Sequence, residues 1–200
     1  MWSIHMNNPF RNISIFAVIL LFLFLMISKQ ENENFTKSNK IFNGDETKVS
    51  KVLIHQGINS IQLNKLDTSW HISGVDTLVM RKNRIDDFFD KVLNVKRTTI
   101  RSKKPSNWMN YSVDDSMGTH LILMDSNDET IGHYVFGRSK TDWAHNFVRM
   151  KNIQSSKNAQ NNVYETSESI IHLLNTSVTY WGEKLPDPEF ETAENDSLGV

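Results

Sequence analysis

Between Arg11 and Lys29 the chain carries no charge, and from Ile13 to Ile27 it reads ISIFAVILLFLFLMI, with Ser14 as the one polar residue. No other stretch of the 200 residues is apolar for so long. At about 1.5 Å per residue such a helix covers about 22 Å, short of the roughly 20 residues that usually cross a bilayer core. Adding Pro9, Phe10, Asn12 and Ser28 lengthens the segment, and local bilayer thinning with snorkelling of Arg11 and Lys29 absorbs the remaining mismatch. A cleaved secretory signal is the first alternative, but Ser28-Lys29-Gln30-Glu31-Asn32 follows and offers no small-residue cleavage site. A buried core helix is the second, but such a helix would show an amphipathic stripe, and Phe, Leu and Ile occupy every face here. The segment 13–28 is therefore expected to be an uncleaved transmembrane signal anchor behind a short stub, 1–12. Arg11 favours an N-terminus inside and the bulk of the chain exported, although Lys29, Lys37 and Lys40 on the other flank dilute the charge bias.

Beyond the anchor, 29–50 is polar and aperiodic and is expected to be a linker, leaving 51–185 for one domain. The chain has no cysteine, which excludes a thiolate nucleophile, Cys-ligated zinc, disulfides and a lipidated N-terminal Cys. The formal net charge of −1 argues against a nucleic-acid binder. Charge is nevertheless uneven. Eleven basic residues face five acidic ones between Lys51 and Lys104, whereas six acids face only Lys184 from Glu183 onward. The tail 186–200 is expected to be acidic and disordered.

Within the domain, Val52–Gln56 and Ser60–Lys65 around Gly57 read as a hairpin, followed by the short extended pieces Trp70–Ser73 and Leu78–Met80. The period then changes. Ile85, Phe88, Phe89, Val92 and Leu93 fall on one helical face, opposite Asp86, Asp87, Asp90 and Lys91. His120–Met124 and Thr130–Phe136 read as a second hairpin, with further strands at Phe147–Met150 and Val163–Glu165. A closing helix is expected from Ser167 as N-cap, with Ile170, Ile171, Leu174 and Val178 as its buried stripe. The expected fold is α+β: short antiparallel strands with two helices packed on one face, preceded by one N-terminal transmembrane helix.

No chemistry-bearing motif stands out. The seven histidines lack helical metal-ligand spacing, although strands can bring two together. Asp125–Glu129 resembles the start of a calcium loop, but Thr130 and Phe136 stand where an EF-hand needs Gly and Glu. Nucleophile-elbow and phosphate-binding glycine patterns are absent. The expectation is no enzyme, no cofactor and no metal site. Trp108, Tyr111 and Trp143 in loop-like segments form the candidate interaction surface, because large aromatics favour binding hot spots. An apolar pocket lined by these three would point to a ligand- or glycan-binding sensor. Convergent carboxylates or histidines would reopen the question of catalysis.

Trp70-His71-Ile72, the Ile85–Leu93 helix, Trp108–Val113, the hairpin ending Tyr134-Val135-Phe136-Gly137-Arg138, Phe147-Val148-Arg149 and Val163-Tyr164 occur in one order. In this order the chain resembles the DUF4340 family of bacterial envelope proteins. Tyr111-Ser112-Val113 replaces the family's Tyr-Gly-Leu form, and Phe147-Val148-Arg149 replaces its Tyr-x-Arg strand. The resemblance implies a non-catalytic, single-pass inner-membrane protein with an extracytoplasmic domain. Its implied partners are membrane or envelope proteins, ABC permease or auxiliary subunits among them. Gly137, Arg149 and Tyr164 match its recurrent positions and are expected to be structural: Gly137 at a positive-φ turn, Arg149 and Tyr164 in cross-strand packing or pairing.

Overall fold

The computed structural model describes residues 15–25, 35–151 and 159–184. The stub 1–12 and the tail 186–200 lie outside these residues, and the expected anchor is described only over 15–25. Those eleven residues form helix α1, and every one of them is exposed. Among the described residues no helix is long and apolar enough to cross a membrane.

The domain is α+β and its strands pair antiparallel. Its main sheet uses β1 (Phe35–Lys40), β2 (Lys51–Gln56), β3 (Asn59–Leu66), β4 (Ser69–Ile72), β6 (Lys96–Ser102), β7 (Thr119–Met124), β8 (Thr130–Arg138), β9 (Asn146–Met150) and β10 (Val163–Thr166). Their order is β1-β6-β10-β9-β8-β7-β2-β3-β4. A second, two-stranded sheet joins β5 (Leu78–Met80) to β11 (Gly182–Lys184). The β2–β3 turn follows from its sequence. Gln56 pairs with Asn59, so Gly57 and Ile58 make a two-residue loop, and Gly57 adopts φ +58° at no steric cost.

Alternation then sorts each strand. Val52, Ile54, Leu63, Leu121, Leu123, Phe136 and Val148 point to one face, all at most 1 % exposed. That face is covered by α2 (Lys82–Asp87), its π-helical continuation Phe88–Val92, and α3 (Val178–Trp181). Phe88 and Trp181 are fully buried at its centre, their rings edge-to-face at 6.2 Å. The helical stripe around Ile85 is therefore as expected, with Ile85, Phe88, Val92 and Leu93 all buried.

Two expectations need correction. The domain does not start at 51: β1 pairs with β6, and Ile41, Phe42 and Val49 are buried in the core, so 35–50 is not linker. Polar composition concealed three apolar anchors spaced among lysines and asparagines. Nor does the closing segment make one helix. Ile170 and Leu174 are buried as expected, but the backbone makes a single 3₁₀ turn, Ile171–Leu173, and then the four-residue α3. Asn146 Oδ1 captures the N–H groups of Ile170 and Ile171, and Asn175 Oδ1 captures that of Ser177. Side-chain acceptors thus displace helical bonding. Ser167, expected as an N-cap, instead exchanges hydrogen bonds with the Lys96 backbone.

Candidate functional site

The opposite face of the sheet carries the second parity: His55 on β2, His120 on β7, His133, Val135 and Gly137 on β8, and Phe147 and Arg149 on β9. The segment from Trp108 to Gly118 lies across it. Arg149, only 3 % exposed, pins this segment. Its Nε donates to the Val113 carbonyl at 2.9 Å, its guanidinium donates to Asp115 Oδ1 at 2.6 Å, and it stacks 3.9 Å over the Trp108 ring. Lys151 adds a second bond to Asp115 at 3.0 Å. Burial disfavours the Asp115 carboxylate, but the hydrogen bonds from Lys151 and Arg149 outweigh it and hold its pKa at about 2. Trp108 donates its indole N–H to Asn161 O, and Tyr111 donates its hydroxyl to Arg101 O while meeting Phe147 edge-on.

Gly137 occupies mid-strand rather than a positive-φ turn, which corrects the sequence reading. Its glycine is required because a Cβ there would stand 2.0 Å from the Tyr111 carbonyl oxygen. Tyr164 faces the core at 3 % exposure, its hydroxyl accepting from Asn162 Nδ2 and its ring beneath Arg97. Arg149 and Tyr164 both serve packing between strands, Arg149 also tying the covering segment to the sheet.

Next to this latch the sheet assembles three histidines. His55 stacks on His120 at 4.2 Å, and His120 Nδ1 lies 3.1 Å from His133 Nε2. His120 Nε2 is buried without a hydrogen-bond partner among the described residues. Burial first, then the charge of Lys151 and the neighbouring histidines, pushes His133 down to about 4. The His120 pKa is also lowered, by burial and then by His55. At neutral pH both are uncharged imidazoles.

Trp143 is elsewhere. At 82 % exposure it stands on the β8–β9 loop beside a cleft of about 200 Å³ that neither Trp108 nor Tyr111 lines. The three aromatics therefore do not converge on one pocket. The cleft borders Trp143, Arg138, Asp142, His145 and His172. Asp142 Oδ1 accepts from Ala144 N–H, and Oδ2 meets His145 Nδ1 at 2.7 Å. That bond, and next the one from Ala144, lowers the Asp142 pKa, keeping the carboxylate ionised. Glu165 on β10 reaches the same place, so that one donor atom each from Asp142, His145 and Glu165 lies within 4.8 Å of the others. Arg101 holds Glu165 Oε1 at 2.5 Å.

The base beneath is tied by hydrogen bonds. Asn146, next to His145, is buried and fixes the start of β9 to Thr166, Ile170 and Ile171 through four hydrogen bonds. Sequence inspection did not select any of these groups. Asp142 and His145 are visible as an i, i+3 pair, but Glu165 joins them only through the β9–β10 pairing. Compared with known proteins, the chain matches no family model, no curated protein and no solved structure.

Proposed function

We propose that the chain is a membrane-anchored binding module. Residues 13–28 hold it as a single-pass anchor with the N-terminus inside, and the sheet domain acts on the extracytoplasmic side through contacts with other proteins. One observation carries the reading. The large apolar side chains of α1 are 48–66 % exposed, so no described part of the domain covers them, and water disfavours so continuous an apolar surface. At about 16 Å, α1 alone is too short to span, and the proposed anchor includes the apolar residues flanking it in Ile13–Ile27. The order of motifs resembling the DUF4340 family supports an accessory role in an ABC-type transport or envelope complex as the partner class. A second reading, a ligand- or glycan-binding sensor, rests on the cleft beside the exposed Trp143 alone, since Trp108 and Tyr111 do not line it.

Because the chain has no cysteine, one introduced thiol reports topology. With Ser106→Cys, the full chain should remain in the alkali-washed membrane fraction and react with a membrane-impermeant maleimide in intact cells. Leu20→Lys combined with Phe22→Lys, at about 3 kcal/mol for each charge near a span centre, should release it into the soluble fraction. A wild-type chain found soluble, or a thiol labelled only after lysis, would overturn the anchor or its orientation respectively.

A further inference from the structure

We propose that Asp142, His145 and Glu165 form a binding site for a divalent transition-metal ion of the zinc–cobalt class, open on one side to the cleft beside Trp143. The proposal stands on ligand geometry and would hold or fail whether or not the chain is membrane-anchored. The donor set is one imidazole nitrogen and two carboxylate oxygens. Hard ions such as Mg²⁺ and Ca²⁺ select oxygen donors, whereas imidazole suits zinc and its neighbours. With metal–ligand distances of about 2.0–2.2 Å, tetrahedral ligand atoms stand about 3.3 Å apart. The three donors already lie within 4.8 Å, so small side-chain rotations close the site.

The ion would take the place of the proton between His145 Nδ1 and Asp142 Oδ2, now 2.7 Å apart, and the neutral imidazole would carry its single proton on Nε2 instead. Glu165 would contribute the oxygen that Arg101 does not hold. Three features prepare the site. Asn146 anchors the backbone beside His145, Ser139 Oγ accepts from Asp142 N–H at 2.9 Å, and β9–β10 pairing fixes Glu165. Three protein ligands with an open side are the arrangement in which a bound metal keeps a place for an exogenous group. The cleft supplies that place. Arg101 opposes the ion, and its charge must be screened or displaced on binding.

The test is titration of the full chain in detergent with Co²⁺, following the visible d–d bands and the part of the tryptophan fluorescence that Trp143→Phe removes. Binding at 1:1 with tetrahedral-type bands is expected. His145→Ala and Glu165→Gln should each weaken it by at least about 10-fold, since even outer-shell losses cost that much. Arg101→Gln should tighten it roughly 5–10-fold by removing a competing cation, while slightly lowering the stability of the metal-free protein. A purely structural ion-pair cluster would show the second effect without the first. Circular dichroism of the metal-free variants checks folding, and Asp142→Asn replaces any variant that does not fold. Absence of 1:1 binding, or binding that survives these changes and is lost in His133→Gln, would overturn the proposal.

Discussion

At Gly137 any side chain meets backbone, not a movable rotamer: the Tyr111 and Ser112 carbonyls both stand under 3 Å from an added Cβ. Gly137→Ala must therefore lift the whole Trp108–Gly118 segment. A loss of about 2–3 kcal/mol is expected, at the upper end for overpacking, and urea denaturation should read it directly. Arg149 tests the same latch from the other side. Arg149→Met keeps much of the length but removes two charge-assisted bonds and the stack on Trp108. The expected cost is about 2–4 kcal/mol, and Arg149→Lys should recover little of it because an ammonium cannot both fork and stack. Trp143→Ala, at an exposed position, should leave stability within about 0.5 kcal/mol. Sequence inspection placed Gly137 and Arg149 among the structural positions and Trp143 with Trp108 and Tyr111 on a candidate surface; packing leaves Trp143 exposed but ties Trp108 and Tyr111 into the segment that Arg149 holds.

At the scale of elements, strands β2, β7 and β8 set three imidazoles on one face, and this has a pH consequence. The folded-state values for His120 and His133 lie below the ordinary 6.5, with His133 at about 4. The unfolded chain therefore takes up protons first. Stability is whole above about pH 6.5 and declines as pH falls toward 4. The surrounding charges sharpen this, since Lys151 and Arg149 place cationic charge beside His133, while Asp115, ionised down to about pH 2, is the counter-charge beside His120. Melting temperature should fall between pH 7.5 and pH 5, and His133→Gln should flatten that fall. The parity that aligns His120 with His133 is implicit in the β7–β8 hairpin once its turn is located. His55 enters through the long-range pairing with β7, which no local pattern encodes. The helix over Ile85–Leu93 was legible because five apolar residues repeat at helical spacing. The break in the closing helix is not legible because its apolar stripe is real while Asn146, distant in sequence, takes the Ile171 N–H that a helix capped at Ser167 would give to the Ser167 carbonyl.

For the whole molecule, the boundary of the domain is the decisive quantity. Removing residues 1–30 deletes α1, whose side chains are exposed, and should leave cooperative unfolding unchanged. Removing 1–50 also deletes β1 and the buried Ile41, Phe42 and Val49, at roughly 1.5–3 kcal/mol for each side chain. That shorter chain should lose most of its stability, and thermal unfolding of the two truncations side by side checks the difference. By itself, the sequence determined what depends on neighbours along the chain: the apolar run at Ile13, the alternating strands, the Gly57 turn, the Ile85 stripe, and the absence of any thiol chemistry. Only the tertiary structure decided what depends on strands meeting across the sheet. It drew 35–50 into the domain, converted Gly137 from a turn residue into a point of close approach, and separated Trp143 from Trp108 and Tyr111. It also brought Glu165 to Asp142 and His145. The reason is that periodicity records which face a residue takes, whereas a site requires the register between strands distant in sequence, and that register is set by the packing of the whole core.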